Sequence, residues 1–222
     1  MQPANGTLSA SGDGITVHTA ASGVLARELR FAGSVPAADA GQVLEIERRA
    51  AGSSAAWLST ADATVQSAGA FTVTWQANRA GQFNIKAVLL NPDATVASDN
   101  DSGATGNGAA SAGAGSSSAA SPALTITVYR MSRATIYGPG LFGRETACGE
   151  RLRRSTIGVA SRTLKCGTKV SILYDGQSIV VPVIDRGPYA NGADWDLTSA
   201  TAADLGMSGT ADVGAATVSK SA

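Results

Sequence analysis

The stretch Val183-Ile184-Asp185-Arg186-Gly187-Pro188-Tyr189 carries an apolar run into a turn, and it decides how the second half of the chain is interpreted. The β-branched residues favour a strand up to Ile184, and the Gly-Pro pair favours a turn directly after it. A carboxylate, a guanidinium and an aromatic ring therefore follow the end of a strand. Asp185 could brace the turn or could be a catalytic carboxylate, and the residues alone leave both interpretations open.

The segment around this stretch, residues 134–218, is punctuated by Gly and Pro. Its strand-like runs are Ala134–Tyr137, Thr168–Tyr174, Ser178–Ile184 and Ala215–Ser219. One short helix is predicted over Thr201–Leu205, with Thr198 or Ser199 as its cap and Gly206 at its end. These features predict a small β-barrel with one short helix.

Residues 1–129 contain short strand-like runs, several of which alternate between apolar and polar residues. The runs are Ile15–His18, Val24–Phe31, Gln42–Glu47, Ala56–Ser59, Ala70–Ala77, Gln82–Leu90 and Ala123–Tyr129. About seven strands in this length predict an immunoglobulin-like β-sandwich. A Gly/Ala/Ser-rich segment at about 93–122 is predicted to be a flexible insertion between its last two strands. Residues 130–133 are predicted to connect this domain to a second one over 134–220.

The overall composition excludes several classes of function. Among 222 residues, 17 basic and 17 acidic side chains balance, so nothing favours nucleic acid or an anionic membrane as a partner. We expect no transmembrane segment, because no apolar run is long enough to cross a membrane. One His and two Cys do not make a zinc site. The sequence suggests no other metal and no organic cofactor, and we expect none.

Cys148 and Cys166 are the two cysteines of the chain. They could form a disulfide, which would indicate an oxidising compartment, or they could be two unpaired small apolar residues. The start of the chain has no basic and apolar regions of a signal peptide, so we expect a mature form that has lost its leader.

The second half also holds a set of side chains that suits a sugar-binding cleft, in which aromatic rings stack on sugars and carboxylates bind hydroxyl groups. A carboxylic acid with a raised pKa can also protonate a glycosidic oxygen. The set comprises Glu150, Asp185, Asp196, Tyr137, Tyr189, Trp195 and Arg186.

Residues 134–218 resemble the double-psi β-barrel domain of the rare lipoprotein A (RlpA-like) lytic transglycosylases, and more distantly expansins. The matching pieces are Tyr137-Gly138, Phe142-Gly143-Arg144, Thr146-Ala147, Gly149-Glu150, Arg162-Thr163-Leu164, Gly167-Thr168, Asp185-Arg186-Gly187-Pro188 and Asp196-Leu197. The resemblance implies a six-stranded double-psi β-barrel with a short helix. Together with the sandwich predicted from the strand-like runs, we expect a mostly β protein in which an immunoglobulin-like sandwich precedes this barrel. It also implies a disulfide between Cys148 and Cys166, as in the actinobacterial branch.

The resemblance further implies peptidoglycan glycan strands as the substrate, cleaved to 1,6-anhydromuramyl ends. It implies Asp185 as general acid and base, supported by Asp196 and Glu150. The implied substrate-binding residues are Tyr137, Ser161, Arg186, Tyr189 and Trp195. We expect a monomer that acts outside the cytoplasm, secreted or at the cell wall.

Ser161 departs from the family pattern, which has a His at this position. Serine does not titrate near neutral pH, whereas histidine does. The alternative hypothesis is therefore a protein that binds peptidoglycan or another polysaccharide without cleaving it, or that loosens the wall as expansins do.

Overall fold

The computed structural model of the chain describes residues 2–3, 6–90, 119–189 and 192–219. Most of the predicted insertion at about 93–122 lies outside these residues. The described residues form fifteen β-strands, one α-helix and one 3-10 turn at Ala37–Asp39. In chain order the strands are β1 (Gln2–Pro3), β2 (Thr7–Gly12), β3 (Ile15–Ala20), β4 (Ser22–Val24), β5 (Glu28–Ser34), β6 (Val43–Ala50), β7 (Leu58–Thr64), β8 (Ala70–Gln76), β9 (Gly81–Leu90), β10 (Leu124–Tyr137), β11 (Val159–Ala160), β12 (Lys169–Tyr174), β13 (Gln177–Asp185), β14 (Trp195–Thr198) and β15 (Ala211–Thr217), and the helix is α1 (Ser199–Asp204).

The N-terminal half consists of two sheets that share one apolar core. The first has the order β2-β3-β5-β8, and the second contains β4, β10, β9, β6 and β7. Strand β8 shows the predicted alternation, because Phe71, Val73 and Trp75 are buried while the threonines between them are exposed. Phe31 and Ile126 contribute to the same core from opposite sheets. The immunoglobulin-like assignment of this half stays a prediction.

The N-terminal half differs from the predicted runs in two respects. Strands β2 and β4 lie outside those runs, although the run Val24–Phe31 takes in the last residue of β4. The predicted run Ala56–Ser59 is wrong in its bounds, because the strand begins at Leu58 and continues to Thr64. Strand β4 is only three residues long and pairs in parallel with β10, so its partner is distant in sequence.

Strand β10 links the two halves without interruption. Its first part pairs with β9, its middle pairs with β15 from Arg130 to Ala134, and its end pairs with β14 from Ala134 to Tyr137. Residues 130–133 therefore lie inside a 14-residue strand that backbone ladders hold, and not in a loop. The domain limits 1–129 and 134–220 stay a prediction.

The C-terminal half is a closed barrel of six strands with a short helix, as predicted. Its strands follow the order β14-β11-β13-β12-β15-β10, and the pairing of β10 with β14 closes the ring. Thr198 caps α1 by accepting a hydrogen bond from the Thr201 amide at 3.2 Å. Gly206, with φ of 69°, follows the helix in the left-handed conformation that glycine adopts without strain.

Candidate functional site

The short strand β11 brings two of the predicted carboxylates together. Ala160 pairs with Asp185 of β13 on one side and with Asp196 of β14 on the other. The ladder between β11 and β13 shifts its register between Val159 and Ala160, so simple alternation does not fix the face of Asp185. The two ladders nevertheless bring both aspartates next to Ala160, although they are far apart in sequence.

Asp185 is partly exposed at the end of its strand, and the backbone holds one of its two oxygens. Its Oδ1 accepts hydrogen bonds from the amides of Ala147 at 2.9 Å and Arg186 at 2.8 Å. Among the described residues, Oδ2 has no hydrogen-bond partner. The carboxylate is thus fixed in orientation while one oxygen stays open to a ligand.

Asp196 is half-buried beside Asp185. Its Oδ1 accepts a hydrogen bond of 2.9 Å from the hydroxyl of Thr135, its partner on β10. Burial raises the pKa of the Asp196 carboxyl, the hydrogen bond from Thr135 offsets part of the rise, and the negative charge of Asp185 adds to it. Two neighbouring carboxylates with different environments are the usual arrangement for acid–base chemistry.

The Tyr137 hydroxyl is buried at the same place and has no hydrogen-bond partner within the described part of the chain. Burial raises the pKa of this hydroxyl far above its ordinary value. The negative charges of Asp185, Asp196 and Glu150 raise the same pKa further, so these three carboxylates lie near the Tyr137 hydroxyl. Tyr137 consequently stays protonated and can donate a hydrogen bond.

Glu150 is itself exposed, and its position is held by its backbone. Its amide donates to the Thr146 hydroxyl at 3.2 Å, and its carbonyl accepts from the Thr146 amide at 2.8 Å. The disulfide of Cys148 and Cys166, with Cα atoms 5.7 Å apart, ties this loop to the segment that follows β11. The predicted disulfide is confirmed.

A small pocket of about 140 Å³ lies between Tyr137 and Asp185. Its other lining residues are Leu141, Arg144, Glu145, Thr146 and Leu152. Arg144 brings a cation to the pocket, and a negatively charged ligand group beside Asp185 could pair with it. The motif Phe142-Gly143-Arg144 contains this arginine but did not indicate its role.

Ser161 and Arg186 mainly hold the loops of the site. The Ser161 hydroxyl is buried and accepts from the Leu164 amide at 3.3 Å, which caps the turn after β11. The guanidinium of Arg186 donates to the carbonyls of Ser161 and Asp185, both at 3.2 Å, and reaches Sγ of Cys166 at 3.1 Å. These contacts position Asp185, and the substrate-binding roles of both residues stay predictions.

The two remaining predicted residues, Tyr189 and Trp195, do not line the pocket beside Asp185. Tyr189 is 81% exposed on the loop after β13. Trp195 is part-buried and lines a different and larger cavity of about 440 Å³, together with Ser161. Neighbouring residues of a strand face opposite sides, so Trp195 and Asp196 point away from each other.

Arg162 is a further residue to which the sequence assigned no role. Its guanidinium donates to the carbonyls of Pro188 at 2.8 Å and Ala193 at 2.7 Å, and it forms an ion pair with Asp194 at 3.1 Å. The Arg162-Thr163-Leu164 motif contains this arginine, but the motif does not indicate which loop the guanidinium binds.

The described residues contain no group of side chains suited to hold a metal ion. Within the same part of the chain, no helix is long and apolar enough to cross a membrane.

Comparison with known proteins finds similarities to the C-terminal half. Residues 131–219 match the family described as "Lytic transglycolase". The chain is similar to the probable endolytic peptidoglycan transglycosylase RlpA of Synechocystis sp., with 42% identity over 87 residues that cover 38% of this chain and 27% of the relative. It is also similar to the endolytic peptidoglycan transglycosylase RlpA of Campylobacter jejuni, with 38% identity over 84 residues that cover 36% of this chain and 30% of the relative.

Among solved structures, the Streptomyces papain inhibitor (SPI) has 24% sequence identity and a TM-score of 0.34, and the match covers 41% of this chain and 94% of that one. The chain spans 27% and 36% of the length of the first two curated relatives that it matches.

Proposed function

We propose that this chain, whose residues 131–219 belong to the RlpA-like family of double-psi β-barrels, is a lytic transglycosylase that cleaves peptidoglycan glycan strands. The products are strands that end in 1,6-anhydromuramic acid. The observation that carries the proposal is Asp185, whose carboxylate is oriented by two backbone amides beside Asp196 and the Tyr137 hydroxyl. The relatives named as endolytic peptidoglycan transglycosylases support the choice of substrate.

In the proposed reaction Asp185 handles both proton transfers. Its free oxygen, when protonated, donates the proton to the glycosidic oxygen while the bond from that oxygen to C1 of the muramic acid breaks. The resulting carboxylate then accepts the proton of the C6 hydroxyl of the same sugar as O6 bonds to C1. The proton count balances, and no water is consumed.

The other charged groups act on the positive charge that develops on the sugar ring in the transition state. Asp196 and Glu150 carry negative charge in the site, and such charge stabilises an oxocarbenium-like ring. The Tyr137 hydroxyl, which lacks a partner among the described residues, would donate a hydrogen bond to a sugar oxygen. Tyr189 and Trp195 would contact the strand outside the pocket.

Cleavage of peptidoglycan implies that the protein acts outside the cytoplasm, at the cell wall or secreted. The disulfide agrees with that compartment, since disulfides persist in oxidising surroundings. We further propose that the protein acts as a monomer, because the barrel of a single chain holds Asp185, Asp196 and Tyr137 together.

The test is a digest of purified glycan strands, with products identified by mass spectrometry. The wild type is expected to release anhydromuramyl fragments, and Asp185→Asn is expected to release none. Asp175→Asn is the matched control, because Asp175 is exposed in a hairpin turn with φ of 46° that asparagine also adopts. It should cleave as the wild type does.

Glycan binding without cleavage is the alternative outcome, motivated by Ser161. A wild type that is retained on insoluble peptidoglycan but releases no fragments would overturn the enzyme proposal. If Ser161→His then produced fragments, the missing imidazole would be identified as the reason.

A further inference from the structure

A trough runs along the junction of the two halves of the molecule. It consists of the cavity of about 440 Å³ that Trp195 lines and a neighbouring cavity of about 220 Å³ lined by Arg79 and Phe83. Ala80 and Thr217 line both cavities, so the two adjoin at that point. The larger cavity alone falls in the size range of small-ligand sites.

The walls of the trough combine an aromatic ring with polar and charged groups. Trp195 is part-buried and keeps an exposed portion at the cavity, where a ring can stack on the apolar face of a sugar. Arg130 projects from the middle of β10 beside it. Arg162 and Asp194 also line the cavity, but their charges neutralise each other in an ion pair of 3.1 Å.

The trough has an excess of positive charge. Arg79 and Arg130 are exposed, and within the described part of the chain neither side chain has a hydrogen bond or an ion pair. Arg79 also lies close to the guanidinium of Arg48. Burial lowers the pKa of Arg48, and the positive charge of Arg79 lowers it further. A bound anion would relieve this repulsion between like charges.

The trough is separate from the pocket beside Asp185. The two have no lining residue in common. The pocket is lined by Asp185 and by six residues within 137–152, and none of these lines the trough. Trp195 and Asp196 are adjacent on one strand and face opposite sides. The trough is therefore a second site, built partly from the N-terminal half.

We propose that the trough binds a glycan strand that carries carboxylate groups, with a sugar ring on Trp195 and carboxylates paired with Arg79 and Arg130. The carboxylate class follows from two guanidinium groups without a partner among the described residues, and the sugar from the aromatic ring that lines the same cavity as Arg130. The inference rests on the proposed function in taking a glycan strand as its ligand. It adds a binding site that the N-terminal half helps to form.

The test measures binding in the Asp185→Asn background, in which the strands stay intact. The probes are soluble peptidoglycan glycan strands and the same strands after conversion of their carboxyl groups to neutral amides, titrated by calorimetry. Arg79→Ala and Arg130→Ala are each expected to weaken binding of native strands by roughly fivefold, the scale of an exposed charge pair. The double variant is expected to weaken it by roughly 25-fold.

Three comparisons accompany these variants. The amidated strands should bind the arginine variants and their parent equally. Arg27→Ala is the matched control, because Arg27 is an exposed arginine of the N-terminal half that does not line the trough. It should bind native strands as the parent does. Poly(glycerol phosphate) is added as a competitor to distinguish phosphodiester recognition from carboxylate recognition.

The inference is overturned if the arginine variants bind native strands as tightly as the parent does, or lose the same factor with amidated strands. It is also overturned if the parent binds no strands, or if poly(glycerol phosphate) displaces the native strands at a lower charge concentration than soluble carboxylated strands do. A wild type that cleaves strands while the arginine variants bind normally refutes the trough alone. A wild type that cleaves nothing but binds through Arg79 and Arg130 refutes the enzyme proposal alone.

Discussion

The guanidinium of Arg162 fastens the loop that separates the two carboxylates of the site. It donates to the carbonyl of Pro188 at 2.8 Å, near the start of the loop, and to that of Ala193 at 2.7 Å, near its end. It also pairs with Asp194 at 3.1 Å. Replacing Arg162 by alanine removes all three contacts and leaves two carbonyls without their charged donor.

The cost of Arg162→Ala can be worked out from these contacts. A hydrogen bond from a charged donor contributes about 1.5–3 kcal/mol, and an exposed ion pair about 0–1 kcal/mol. The Arg162 side chain is 43% exposed, so water replaces part of what is lost and the low end applies. We expect the free energy of unfolding to fall by about 2–3 kcal/mol.

Urea unfolding followed by circular dichroism measures this loss. Arg162→Lys keeps the charge but has a single ammonium group, which cannot reach both carbonyls in the planar fork of a guanidinium, so it should recover about half of the loss. Arg153→Ala is the matched control, because Arg153 is exposed and its side chain has no partner among the described residues. Its effect should stay within about 0.5 kcal/mol.

The proposed role of Arg162 in holding the loop would be refuted if Arg162→Ala lowered the free energy of unfolding by less than about 0.5 kcal/mol. It would also be refuted if the lysine variant were no more stable than the alanine variant. Either result would mean that the loop is held by its own backbone and needs no guanidinium.

Three other changes test the electrostatics and the covalent link of the site. Asp196→Asn should stabilise the protein at neutral pH, because the pKa of Asp196 is raised in the folded state and its ionised form is disfavoured there. The folded state binds the proton more tightly, so this penalty is absent below the ordinary aspartate pKa and grows as the pH rises through the folded pKa. Thermal unfolding at acidic and neutral pH checks the sign, and an equal effect at both would contradict it. Tyr137→Phe should leave the free energy of unfolding unchanged or raise it by up to about 1 kcal/mol, since the buried hydroxyl has no partner among the described residues, yet it should weaken glycan binding in a titration. Replacing both Cys148 and Cys166 by serine should lower the free energy of unfolding by about 3 kcal/mol, as the disulfide closes a loop of 18 residues, and a reductant should then have no further effect in urea unfolding. Equal stability of the double variant and the wild type would refute that contribution.

Local patterns predicted the parts of the fold whose signal lies within a few residues. The alternation of Phe71, Val73 and Trp75 indicated a half-buried strand, and all three are buried. The helix cap at Thr198 was also confirmed, because its side chain and the Thr201 amide lie within one turn. Such features depend on neighbours that the sequence places side by side.

Features that depend on distant partners could not be predicted in this way. Strand β11 is two residues long and exists only because Ala160 finds ladder partners on β13 and β14. The polar segment 130–133 resembles a connection, yet pairing with β15 keeps it in a strand. The same limit applies to Trp195, whose residue type suited a sugar-binding cleft but whose side chain lines another cavity.

The candidate site shows the same division. Motifs indicated Asp185, Asp196, Glu150 and Tyr137, and the structure brings their charges and the buried hydroxyl together. The hydrogen bond from the Ala147 amide to Asp185 Oδ1 could not be predicted, because its donor lies 38 residues away on the loop that the disulfide holds.

Digestion of glycan strands in water enriched in oxygen-18 tests the central claim, intramolecular capture by the C6 hydroxyl with Asp185 as acid and base. Mass spectrometry of the new ends reads the result directly. The account predicts anhydromuramyl ends without the heavy isotope from the wild type, and no new ends from Asp185→Asn. Reducing ends that carry oxygen-18 would show that water attacks the sugar, and they would contradict the lytic mechanism.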